Sequence, residues 1–221
     1  MTHELRTPLT SIRAFTEILL DTPEVEVEQR KKFLGIITKE AERLTRLINQ
    51  VLDLAKIESG KADWVESGVD MKEVISDTLA AMSQLFKEKN IKVEARLPEK
   101  VSTVTVDLDR MVQVMLNLLS NAVKFCDAAN GRVEIALAER EGCLWVDVRD
   151  NGRGISPEDQ EIIFQKFHQV GDALTDKPHG SGLGLHISRQ IVEHFGGRMW
   201  VESRVGGGAR FSFTLPTGAA T

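Results

Sequence analysis

The sequence predicts an α+β protein in two parts: a helical hairpin that pairs with a second copy into a four-helix bundle, then an α/β sandwich. Three observations carry this. Apolar residues step by four and three along residues 37–55; beyond Gly68, capped amphipathic stretches and short alternating runs replace that pattern; and those helices and strands do not alternate regularly, which fits a layered sandwich better than a doubly wound sheet. With 221 residues, 42% hydrophobic and 28% charged, the chain has the balance of a globular protein with a real core. Its apolar runs fall far short of the roughly 20 residues that span a bilayer, and no charged-then-apolar leader opens it. A net charge of -5 argues against duplex nucleic acid or an anionic membrane as partner. Cys126 and Cys143 lack metal-ligand spacing and read as reduced thiols, which fits a cytoplasmic location.

The first helix is expected over residues 5–20, where Leu5, Leu9, Ile12, Leu19 and Leu20 recur at helical spacing and Pro8 falls early. Asp21-Thr22-Pro23 breaks it. In the second helix, Ile37, Ala41, Leu44, Ile48, Val51 and Ala55 form a bundle seam, and Ser59-Gly60 is a stop. Leu34, Ile36, Leu47 and Leu54 widen the stripe beyond one partner helix, from which we expect a homodimer; the alternative is packing on the rest of its own chain. Residues 61–68 are polar and glycine-flanked and read as a linker and hinge between residues 1–60 and 69–221. Asp70 with Glu73 opens a helix to about Lys87. Residues 91–95 and 101–106 read as strands, and Asp107 or Asp109 caps a helix through Met111, Val114, Leu118 and Val123. Residues 132–139 and 143–149 form a hairpin, residues 183–195 a helix, and residues 199–203 and 210–215 a second hairpin around Gly206-Gly207-Gly208.

Three stretches carry chemistry. In His3-Glu4-Leu5-Arg6-Thr7-Pro8, a zinc peptidase would need a second His where Thr7 stands, so that reading fails. A helical His-Glu pair is commonly a surface charge pair. It is also a nucleophile: the neutral imidazole carries a lone pair, and the adjacent carboxylate can hold the other N–H. Thr7, one turn along the same face, could orient a water. In Asn117-Leu118-Leu119-Ser120-Asn121-Ala122-Val123-Lys124-Phe125, two amides face one way on an apolar helix with an ammonium nearby, a set suited to hydrated Mg²⁺ and phosphate, or to simple bonding with backbone. Asp150-Asn151-Gly152-Arg153-Gly154-Ile155 and Gly180-Ser181-Gly182-Leu183-Gly184-Leu185 let backbone approach a ligand closely. Neither has dinucleotide-fingerprint or phosphate-loop spacing, and each alone also suits a tight turn. Residues 170–178 between them are polar and poorly periodic, as a lid would be.

Together and in this order, the stretches resemble the sensor histidine kinases of two-component signalling. His3 to Pro8 is similar to the phosphoacceptor box, Asn117 to Phe125 to the asparagine box, Asp150 to Ile155 and Gly180 to Leu185 to the two glycine boxes, and Ile163-Phe164-Gln165-Lys166-Phe167 to the phenylalanine box. The resemblance covers nearly the whole chain. It implies a dimerisation and histidine-phosphotransfer hairpin, then a catalytic ATP-binding domain with the Bergerat-type sandwich. It makes His3 the phosphoacceptor, Glu4 its acid/base neighbour, and Thr7 the residue that aligns water for dephosphorylating the response regulator. Asn121 becomes the principal Mg²⁺ ligand with Asn117 assisting, Lys124 a phosphate contact, Phe125 an aromatic face where Tyr is common, and Asp150 the acceptor for the adenine amino group. Gly152, Gly154 and Ile155 shape the adenine pocket, Gly182, Leu183, Gly184 and Leu185 lie along the phosphates, and Phe164 and Phe167 pack the lid's base. The implied partners are ATP, a second copy and a response-regulator receiver domain, with any membrane anchor of the parent protein lying in other segments.

Some positions depart from the family pattern. Gln169 stands where Arg is common, leaving Lys166, His168 or Lys177 near the phosphates, and Ala209 stands where Thr usually reaches toward adenine. The helix carrying His3 starts close to it, which invites fraying. Two other classes compete. A hydrolytic ATPase of the same fold would carry Glu at Asn117 to activate water, and an amide takes no proton at neutral pH. A nucleotide-sensing scaffold that docks a regulator without phosphotransfer is opposed by the intact set of His3, Asn121 and Asp150.

Overall fold

The computed structural model describes residues 2–22, 25–168 and 181–218, with side chains from Leu5 onward. It divides into two compact units, one taking the described residues of 2–62 and 181–183, the other those of 63–168 and 184–218.

The first unit is the expected hairpin of α1 (Thr2–Asp21) and α2 (Val27–Glu58). α1 runs through Pro8 without a break, and α2 ends where Ser59 donates to the Ala55 carbonyl and Gly60 takes a φ of 66°. The helices pack together, with the Phe15 and Phe33 rings 5.2 Å apart. The seam differs in detail from the expected one. Leu47 and Leu54, read as the widened edge of the stripe, are the buried residues of α2, whereas Ile48 and Leu34 stay 44% and 49% exposed. The wide stripe is thus two rows, one buried in the single chain and one facing outward.

The second unit holds β1 (Glu66–Val69), α3 (Met71–Glu88), β2 (Lys92–Arg96), β3 (Val104–Asp107), α4 (Leu108–Phe125), β4 (Arg132–Arg140), β5 (Cys143–Asp150), α5 (Pro157–Ile162), α6 (Gly184–His194), β6 (Arg198–Ser203) and β7 (Ala209–Pro216). β2-β4-β5-β7-β6 form one sheet, parallel only between β2 and β4, and β1 pairs antiparallel with β3 in a second, two-stranded sheet. Alternation decides which face is covered. Val133, Ile135 and Leu137 of β4, Leu144, Val146 and Val148 of β5, and Phe211, Phe213 and Leu215 of β7 are all buried. α4 packs on β5 and α6 on β6 and β7, while α3 packs on α4. Each large apolar side chain buried in this layer contributes about 1.5–3 kcal/mol.

Both hairpins and the three longer helices described in this unit fall where expected. Asp70 caps α3 by accepting from the Lys72 N–H at 2.8 Å, and Asp107, not Asp109, caps α4 by accepting from Arg110 at 3.1 Å. The linker is shorter than residues 61–68. Glu66–Val69 is a strand, the Val65 N–H donates to Asp107 Oδ2 at 2.9 Å, and Trp64 stacks on His194. β1 escapes sequence reading because Glu-Ser-Gly-Val has no apolar alternation. Its pairing comes from β3, nearly 40 residues away. α5, also unanticipated, is a six-residue turn capped by Ser156, which accepts from the Asp159 N–H at 3.1 Å.

Candidate functional site

α4 buries Met111, Val114, Met115, Leu118, Leu119, Ala122 and Val123 against the core. Its opposite face therefore carries Asn117, Asn121 and Lys124 together. The Asn117 side-chain N–H donates to Ser188 Oγ of α6 at 2.9 Å, and Ser188 is 1% exposed. Its amide oxygen meets the first residue of α6: a Cβ built on Gly184 would lie 2.2 Å from Asn117 Oδ1. Asn117 thus fixes the start of α6 against α4, leaving only its oxygen for a ligand. Asn121, half-buried one turn on, makes no side-chain hydrogen bond among the described residues. At the end of α4, the Phe125 ring lies 4.3 Å from the Lys124 ammonium and 5.3 Å from the Arg153 guanidinium. These distances are within cation–π range.

β5 delivers Asp150 to the same end of the sheet. Its carboxylate is 5% exposed, and Oδ1 accepts from the Gly152 N–H at 2.8 Å and the Ala209 N–H at 3.4 Å. Oδ2 makes no hydrogen bond among the described residues, so the group is an acceptor held rigidly at one oxygen and open at the other. Burial pushes its pKa up from the ordinary aspartate value, opposed by the two N–H groups and by Arg149. Ala209, which lacks the hydroxyl of the family's Thr, contributes through its backbone instead.

The loop after Asp150 is built by close approach. A Cβ on Gly152 would lie 1.8 Å from the Phe125 carbonyl oxygen, and Gly154, at a φ of 73°, would place one 2.0 Å from the Arg204 carbonyl. A Cβ on Gly208, at a φ of 78°, would lie 2.0 Å from the Asp150 carbonyl oxygen. The Ile155 N–H donates to Ser203 Oγ at 2.8 Å, and Gln160 of α5 bonds the Ile155 and Ser203 carbonyls at 2.9 and 3.1 Å. Asn151 closes the sheet itself. Its Oδ1 accepts from the Arg132 N–H at 2.8 Å and its Nδ2 donates to the Asn130 carbonyl at 2.7 Å.

Asn117, Asn121, Lys124, Phe125, Asp150, Gly152, Gly154, Ile155, Gly184 and Leu185 therefore all belong to the second unit. Gly182, with a φ of 64°, and buried Leu183 are grouped with the first. His3, Glu4 and Thr7 lie on α1, with Thr7 exposed; the side chains of His3 and Glu4 lie outside the described residues, as do Gln169, Lys177 and the expected lid. Phe164 is buried with its ring 6.4 Å from Phe211, and Phe167 takes a φ of 62°. Ser188, Gln160 and Ser203 join the site without a sequence signal, since each acts through a partner distant in the chain. Among the described residues no cluster of three His, Cys, Asp or Glu could hold a metal. The amide oxygens fit Mg²⁺, which keeps waters and phosphate oxygens as most of its ligands. No described helix is long and apolar enough to cross a membrane.

The family described as histidine kinase-, DNA gyrase B-, and HSP90-like ATPase matches residues 106–219, and the His Kinase A (phospho-acceptor) domain matches residues 1–60. The chain is 34% identical to the sensor histidine kinase WalK of Bacillus subtilis over 221 residues, covering 98% of this chain and 35% of that protein. It thus spans about a third of that curated relative's length. The histidine kinase ThkA in complex with the response regulator protein TrrA is similar in structure, with a TM-score of 0.79, 26% identity, and 98% of this chain and 60% of that chain covered. Full-length ShkA in complex with AMPPNP has a TM-score of 0.74 and 30% identity, over 99% of this chain and 45% of that one. With both domains matched in order and the asparagine and first glycine stretches converging in one unit, the chain belongs to the sensor histidine kinases of two-component signal transduction.

Proposed function

We propose that the chain binds ATP with Mg²⁺ in its second unit, phosphorylates His3 as a homodimer, and passes the phosphoryl group to an aspartate of a response-regulator receiver domain. The observation that carries this is the Asp150 carboxylate, buried, fixed at Oδ1 and open at Oδ2, beside the amide face of α4. Nothing in the hydrogen bonding of the core needs its second oxygen, and an adenine amino group would supply the donor it lacks. AMPPNP in the related ShkA and the regulator TrrA on the related ThkA support the same reading.

Residues 1–60 would supply the acceptor and the unit that opens with β1 the nucleotide site, joined through residues 61–65. His3 attacks the γ-phosphorus through one ring nitrogen while Glu4 holds the N–H of the other and stabilises the imidazolium. The new N–P bond forms as the bond from phosphorus to the bridging oxygen breaks, and ADP leaves with that electron pair. Asn121, assisted by the Asn117 oxygen, would hold Mg²⁺, which supplies charge neutralisation on the phosphates. Lys124 places an ammonium on the same phosphates, and the glycines at 152, 154 and 184 let the loop and the start of α6 pack closely enough on Phe125, Arg204 and Asn117 to shape the pocket. Thr7 would orient the water that dephosphorylates the regulator. The outward row of α2, with Leu34, Ile48 and Leu52 all more than 40% exposed, supports the four-helix dimer.

Incubation with γ-labelled ATP and Mg²⁺ tests the reading. Label that is acid-labile, alkali-stable and absent from His3→Gln is expected. Nucleotide binding without label would leave the scaffold reading in its place.

A further inference from the structure

Trp64 sits between the ends of two helices. Its ring stacks on His194, the last residue of α6, with centroids 3.9 Å apart and planes 12° from parallel. It meets the edge of Phe195 at 5.3 Å and takes the Arg110 guanidinium of α4 at 5.6 Å. One residue on, the Val65 N–H donates to Asp107 Oδ2, while Asp107 Oδ1 caps α4. α4 and α6 run antiparallel: Arg110 and His194 share the end that holds Trp64, and Asn117 meets Gly184 and Ser188 further along. The helix pair that carries Asn117, Asn121, Lys124 and Gly184 at its ligand end therefore grips the incoming chain at its other end.

From this juxtaposition we propose that Trp64 and Asp107 form a clasp that ties the segment entering the nucleotide-binding unit to both nucleotide-binding helices, making Trp64 a positioning residue for phosphoryl transfer. The proposal rests on the kinase reading above. Its physical basis is geometric. Phosphoryl transfer depends on holding donor and acceptor in line, and a small misplacement by residues far from the chemistry lowers the rate severely. Without the clasp, residues up to Val65 swing freely and the unit loses a fixed point of attachment. With it, and with the Lys61 N–H donating to the Lys56 carbonyl at 3.0 Å, the connection shortens to Ala62 and Asp63, and the attachment point moves with α4 and α6 as one body. Stacking suits this task because a flat ring on a flat ring resists rotation of the segment without burying a charge.

The test is the full chain with Trp64→Ala, Trp64→Phe and His194→Ala, read for nucleotide affinity with a fluorescent ATP analogue, for unfolding temperature, and for the initial rate of His3 labelling across ATP concentrations. Trp64→Ala is expected to lower kcat about tenfold or more with KM and affinity for nucleotide within twofold of the parent. Trp64→Phe should restore most of the rate and His194→Ala should lose less than Trp64→Ala. An unchanged kcat in Trp64→Ala overturns the clasp, and so does a loss carried by KM and affinity, which would make Trp64 a support of the pocket alone. A parent chain that binds nucleotide yet gives no label overturns the kinase reading instead, and with it the role assigned to Trp64.

Discussion

Asn117 donates its side-chain N–H to Ser188 Oγ at 2.9 Å, across 71 residues of sequence, and the first residue of α6 rests on its amide oxygen. One side chain thus sets the distance between the helix that carries the amide face and the start of α6.

Gly184→Ala should disturb that spacing. The added methyl would lie 2.2 Å from Asn117 Oδ1, so α6 must shift or Asn117 must turn away. We expect a loss of about 1–3 kcal/mol in unfolding free energy, the usual range for overpacking, together with weaker nucleotide binding. Denaturant unfolding and titration with an ATP analogue measure the two effects, and an unchanged pair would mean that the helix ends are not in contact.

Asp150→Asn separates stability from binding. The amide oxygen can still accept from Gly152 and Ala209, but the second oxygen becomes a donor and meets the adenine amino group donor to donor. Affinity for ATP should fall at least tenfold, about 1.4 kcal/mol. The stability effect has the opposite sense. Asp150 has a raised pKa, so the folded chain holds its proton at pH values where the unfolded chain has released it, and stability falls as pH rises from the ordinary aspartate range through the raised value. The Asn variant should lack this slope and be no less stable at neutral pH. Unfolding free energies measured from acid to neutral pH check the sign.

Ile48→Glu combined with Leu52→Glu places two carboxylates on the outward row of α2. Both positions are more than 40% exposed in the single chain, so the fold of the hairpin should survive while association weakens. Sedimentation is expected to show a dimer for the parent chain and a monomer for the double variant, with helical content unchanged.

Cys126 should react slowly with thiol reagents. Burial raises its pKa first, and the nearby Asp150 carboxylate raises it further, so less thiolate is present near neutral pH than for an ordinary cysteine. Alkylation followed by peptide mass spectrometry should show rates at Cys126 well below those of a free thiol at pH 8. In the Asp150→Asn variant the rate should rise as the neighbouring charge disappears.

Local signals in this sequence were legible where one segment carried all the information. The four-three stepping of α2, the cap at Asp70, a cap at Asp107 or Asp109, and the alternating hairpins of β4–β5 and β6–β7 needed no partner to be read. The family's ordered boxes singled out Asn117, Asn121, Asp150 and the glycines at 152, 154 and 184, all of which lie in the second unit. What could not be read depends on pairs far apart in the chain. Trp64 finds His194, Asn117 finds Ser188, and Glu66–Val69 becomes a strand only because β3 lies beside it. The choice of Leu47 and Leu54 over Ile48 as the buried row is of the same kind, since a wide apolar stripe does not say which of its edges meets the nearer helix.

The Asn151 side chain imitates a strand. By accepting from Arg132 and donating to the Asn130 carbonyl, it continues the ladder between β4 and β5 one step past the last backbone pair, Val133 with Asp150. The Asn151 backbone N–H also reaches the Arg132 carbonyl at 3.3 Å, so main chain and side chain together close this end of the sheet before the glycine loop begins. Beyond it, residues 152–155 are tied to Asp150 through the Gly152 N–H, to Ser203 through the Ile155 N–H and to Gly206 through the Arg153 carbonyl, so the anchor of the pocket and its wall brace one another.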